Sequence, residues 1–148
     1  MSTIQNEQID VKITVKTAIR DGNRKETFEL ITFGRYYKKE NARYLQYDEV
    51  MEEELPPVKT IIKISDAEGL ILRNGAVKMR LPFKINKRLR GSYTTPYGEF
   101  GLTTSTKRMH HQFHEQTGVG EIDILYDLNM QGASTGTYHL TIDFMKES

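Results

Sequence analysis

Residues 8–20 alternate with a period of two. Ile9, Val11, Ile13, Val15 and Ile19 occupy one set of positions; Asp10, Lys12, Thr14, Lys16 and Arg20 occupy the other. A period of two places every apolar side chain on one face of an extended strand, whereas a helix repeats its face every 3.6 residues. The same alternation returns along the chain, interrupted each time by a short run of turn residues. That rhythm rules out a helical bundle or a parallel α/β sheet and requires strands joined by hairpins.

Asp21-Gly22-Asn23 is the first such turn by composition. The strand after it, about 24–37, starts with Phe28 and Leu30 on one face, but Ile31 and Phe33 then fall on the other and Gly34 follows. This predicts a bulge or bend that changes the buried face. Residues 38–55 support two readings. Tyr44, Tyr47, Met51 and Leu55 form a helical stripe, while Arg43 to Asp48 alternate with Leu45 and Tyr47 on one side. The unbroken succession of strands favours a strand, and Pro56-Pro57 ends it. Residues 58–65 alternate again, and residues 70–73 and 76–83 flank Asn74-Gly75, a strong hairpin signal. In the second of these Val77, Met79, Leu81 and Phe83 face inward and Lys78 and Arg80 outward. Residues 84–90 read as a basic connector with room for one helical turn.

The stretch from Gly91 to Phe113 reads as two strands joined at Thr95-Pro96-Tyr97-Gly98, where Pro pre-sets φ and Gly admits a positive φ. Beyond the turn, Phe100 and Leu102 give way to the hydroxyl run Thr103, Thr104, Ser105 and Thr106. Two final strands bury Ile122, Ile124, Tyr126, Leu128 and Met130, then Tyr138, Leu140, Ile142 and Phe144. Eight to ten antiparallel strands, each turning directly into the next, specify an all-β fold. A single up-and-down β-barrel over residues 1–148 is expected, because closure removes the edges that an open sheet exposes.

These segments also resemble a known group. VKITVKTAIRDG, GLILRNGAVKMRL, TPYGEFGLTT and EIDILYDLNMQGASTGTYHLTI are similar to the YwiB-like family of uncharacterised bacterial β-barrel proteins. The resemblance spans essentially the whole chain and implies a calycin-like barrel of the lipocalin type. It implies no activity. The chain has no tryptophan, so the Gly-x-Trp start of true lipocalins is missing.

The totals exclude several classes of function. With no cysteine, there are no disulfides, thiolate metal sites or cysteine nucleophiles. The first ten residues have neither a basic start nor an apolar core, and no apolar run approaches the ~20 residues of a bilayer span. A cytoplasmic protein without a membrane span is the expectation. The net charge of +1 excludes a globally basic nucleic-acid binder, yet residues 71–120 hold 9 basic and 2 acidic groups. One face of the molecule is therefore expected to be basic.

Four apparent motifs fail in their structural context. Gly132-Ala133-Ser134-Thr135-Gly136 matches G-x-S-x-G, but that nucleophile must sit between a strand and a helix, and TYHLTIDF after it is a strand. His110 and His114 stand on a strand, about 13 Å apart at four residues of ~3.3 Å each, too far to share an ion. Asp123 and Asp127 fall on an outer face as solubilising groups. Gly118-Val119-Gly120 opens no helix and cradles no phosphate. No catalytic residue, metal or cofactor is expected.

Two features remain. The basic segment 73–108, with Tyr93 and Tyr97 interleaved, has the residue types of a single-strand nucleic-acid groove or an acidic-partner site. The hydroxyl run, beside Tyr126, Tyr138 and Met130, could line a barrel lumen, giving a mostly apolar cavity with a few polar groups. The leading expectation is a non-enzymatic barrel that binds a small apolar or amphipathic ligand in its lumen or mouth. Its ligand-binding residues would be Arg80, Lys84, Arg88, Arg90, Tyr93, Tyr97, Thr104 and Tyr126, the cations holding any anionic group. The alternative is nucleic-acid or acidic-partner binding. A monomer or an edge-paired dimer fits either.

Overall fold

The alternating segments form ten strands in the computed structural model, which describes residues 8–49 and 56–147. They are β1 (Gln8–Asp21), β2 (Arg24–Lys39), β3 (Ala42–Glu49), β4 (Val58–Ile64), β5 (Glu68–Asn74), β6 (Lys78–Lys84), β7 (Arg88–Thr95), β8 (Gly98–His114), β9 (Val119–Met130) and β10 (Ala133–Lys146). Each pairs antiparallel with the next, and β1 closes on β10 to complete the barrel. No helix among the described residues is long and apolar enough to cross a membrane.

Period two decides the interior. Val11, Ile13 and Val15 of β1 face Phe144 and Ile142 of β10, with Ile122 and Ile124 of β9 alongside, and all are buried. On the far wall Leu45, Ile62, Ile71, Leu81 and Phe83 complete the core. Burying each such side chain is worth about 1.5–3 kcal/mol, so the barrel is held mainly from within. One end is plugged by Tyr36, Phe113 and Phe144, with the Tyr36 ring 4.5 Å from that of Phe113 and 5.0 Å from that of Phe144.

The structure departs from the sequence reading at two places. β2 keeps one register with β1 from Tyr37 to Arg24, with no bulge. Phe28 and Leu30 stay on the inner side, and Ile31 and Phe33 simply face solvent at 56% and 58% exposure. Gly34 serves a different purpose: a Cβ there would lie 2.1 Å from the Gln46 carbonyl oxygen, so glycine permits the close approach of β3. Residues 84–90 contain no helical turn. The chain reverses through Asn86 at φ 62°, and β7 is already extended at Arg88. Closure gives every described strand two neighbours. Residues 42–49 do form the favoured strand, whereas Met51 and Leu55 of the alternative stripe lie outside the described residues.

Candidate functional site: a cavity at one end of the barrel

Among the described residues, β3 covers only part of the length of β2. Its pairing with β2 runs from Lys39 only as far as Gly34, opposite Tyr47. Among the described residues, 24–33 of β2 are paired with β1. Beneath that segment lies a cavity of about 230 Å³, lined by Leu30 and Phe28 from β2, the ends of β3–β6, and Tyr126 and Leu140 from the opposite wall. It is smaller than the roughly 300–1,000 Å³ of sites for drug-sized ligands.

Its lining is mostly apolar; besides Thr17 and Glu29, it carries one polar cluster. Tyr47 faces Thr60, and Thr60 faces Arg73, so three adjacent strands bring inward positions into one row. Glu49, the next inward residue on β3, completes the group. The Glu49 carboxylate accepts from the Arg73 guanidinium at 3.1 Å and from the Thr60 hydroxyl at 3.1 Å. About a fifth of each charged side chain is exposed, so this ion pair has a lower dielectric around it than a surface pair. Burial, together with the nearby Glu49 charge, raises the pKa of the Tyr47 phenol. Tyr126 is raised too, mainly by burial. Both phenols are neutral at neutral pH and offer hydrogen bonds rather than charge.

The sequence-derived candidates divide between the two sides of the sheet. Tyr126 and Tyr93 lie inside, Tyr126 on the cavity and Tyr93 packed against the core. Thr104 is also inside but fully buried, and its hydroxyl donates to the Pro82 carbonyl. Arg80, Arg88 and Arg90 point outward, away from the cavity. Lys84 pairs with Glu68 at 3.5 Å, and Tyr97 stands at the β7–β8 tip. The cations are thus separated from the lumen by the sheet itself. Glu49, Thr60 and Tyr47 escaped the sequence reading, although Tyr47 and Glu49 share the inward parity of Leu45. Arg73 was legible only as part of the basic run.

A model for a domain of unknown function, DUF1934, matches residues 13–142. The chain belongs to the DUF1934 family. It is 36% identical over 138 residues to the uncharacterised β-barrel protein YwiB of Bacillus subtilis (strain 168), covering 93% of this chain and 94% of that one. The crystal structure of the ywiB protein from Bacillus subtilis superposes with a TM-score of 0.82 at 34% identity, over 95% of this chain and 94% of that chain.

A second polar constellation lies on the outside of this DUF1934 barrel. Asp123 of β9 meets His139 of β10 at 2.9 Å and Arg108 of β8 at 3.1 Å. Burial raises the Asp123 pKa, but the hydrogen bonds from His139 and Arg108 outweigh it, and the net shift is downward. Asp123 therefore remains a carboxylate between two donors. Ser134 stands in β10 itself, exposed, where the motif runs from a turn into a strand.

Proposed function

We propose that this DUF1934 protein is a non-catalytic binding barrel for a small amphipathic molecule. The observation that carries this reading is the cavity: a mostly apolar interior of about 230 Å³ with a row of hydrogen-bonded polar groups, Glu49, Thr60 and Arg73, in its lining. An apolar body would lie against Leu30, Ile62 and Leu140. One polar group would reach Glu49, Thr60 and Arg73. Because that row offers both a carboxylate acceptor and guanidinium and hydroxyl donors, it suits a hydroxyl or amide, which donates and accepts at once. A ligand carboxylate would face Glu49, and a ligand ammonium would face Arg73. The cations of β6 and β7 contribute nothing from the opposite face.

The test is methyl-resolved NMR with benzyl alcohol and hexanamide as probes. Saturable shifts are expected at Ile62, Ile71 and Leu140, with Ile13, deep in the core, unmoved. Titrations that leave the cavity methyls unchanged, or that move all four together, contradict the proposal.

A further inference from the structure

The outer face of β6 and β7 carries a track of four cations that steps from one strand to the next. β7 points Arg88 and Arg90 outward, and its next two outward positions, Ser92 and Thr94, lie opposite Arg80 and Lys78 of β6. The cations thus continue from one strand to the other in successive outward rows, spaced about 6.6 Å at two residues of ~3.3 Å. All four are exposed, and among the described residues none has an acidic partner. The Arg80 guanidinium leans over β7 to donate to the Arg90 carbonyl at 3.4 Å.

A hydroxyl accompanies every cation. In register, Lys78 lies beside Thr94, Arg80 beside Ser92, Arg90 beside Thr103 and Arg88 beside Ser105. Guanidinium and hydroxyl together are the side-chain groups that hold phosphate oxygens, and arginine does so bidentately. At the tip of the same hairpin Tyr97 is 94% exposed, its backbone N–H held by the Thr95 hydroxyl at 3.0 Å. An aromatic ring presented to solvent beside a cation track offers a stacking platform for an unpaired base.

We propose that this face binds single-stranded nucleic acid, with phosphates along Arg88, Arg90, Arg80 and Lys78 and a base on Tyr97. A duplex keeps its bases stacked and leaves Tyr97 unused, and an acidic polypeptide has no base to place there. The proposal is independent of the lumen reading, since the two sites lie on opposite sides of the sheet.

The experiment is fluorescence anisotropy with a labelled oligothymidylate titrated from low to physiological salt. Four phosphate contacts predict a slope of log K against log salt of about −2.8 for a single strand. Replacing Arg88 and Arg90 with alanine should halve that slope. These residues are exposed, so the variants should keep the wild-type melting temperature. Tyr97→Ala should weaken binding at least about fivefold with the slope unchanged. Absence of binding at low salt overturns the proposal. So do an unaltered slope in the double variant, equal competition by polyglutamate or by duplex, and an indifferent Tyr97→Ala.

Discussion

Glu49 and Arg73 meet at 3.1 Å across a strand that separates them, with Thr60 of that strand hydrogen-bonded to the same carboxylate. The row ties β3, β4 and β5 together, and it supplies an ion pair to the cavity lining. Arg73→Met strands a part-buried carboxylate and should cost about 1–3 kcal/mol. Adding Glu49→Gln should recover part of that loss. A double-mutant cycle from urea melts checks it.

Thr104 and Thr106 are both buried in β8, two residues apart, yet they are satisfied differently. Thr104 donates to the Pro82 carbonyl, whereas the Thr106 hydroxyl has no hydrogen-bond partner among the described residues. Thr104→Val should therefore destabilise by about 1–2 kcal/mol, since it leaves a buried acceptor unmet. Thr106→Val should be neutral or stabilising, because burying an unpaired hydroxyl already carries a cost. The melting temperature should fall for Thr104→Val and should not fall for Thr106→Val.

Gly34→Ala should cost about 3 kcal/mol, because a methyl group placed against the Gln46 carbonyl forces β2 and β3 apart. Gly132→Ala meets no atom within 4 Å, but its φ of 82° brings a smaller backbone penalty. Comparing their urea midpoints separates crowding from backbone strain.

Asp123 has a folded-state pKa below its ordinary 3.8. Its contribution to stability is complete above that ordinary value and is lost as pH falls through it toward the folded-state value. Asp123→Asn should lower the melting temperature at pH 7 and flatten its fall below about pH 4. A variant as acid-sensitive as the wild type contradicts the assignment.

Most of the barrel was legible because period two is a local property. Met79, Leu81 and Phe83 face inward, Lys78 and Arg80 outward, and the same rule placed Tyr126 and Leu140 inside. It holds at β2 as well: the expected bulge came from taking Ile31 and Phe33 as too apolar for solvent, and they face it nonetheless. The polar row was not legible, because a row depends on register across three strands. Nothing local to Glu49, Thr60 and Arg73 indicates that they are neighbours. The His139–Asp123–Arg108 group was hidden for the same reason, with its members on three strands. The cation track shows the converse: parity already separated Arg80 from Leu81, but only the β6–β7 register reveals that four cations occupy successive outward rows.

The central claim is that the cavity holds a molecule. Native mass spectrometry of the protein, purified gently from the cells that make it, tests this most directly. The account predicts a discrete added mass of a few hundred daltons at most, lost on denaturation and absent from Leu30→Trp, whose indole fills the space. A bare mass for the wild type, or an adduct that persists in Leu30→Trp, contradicts it.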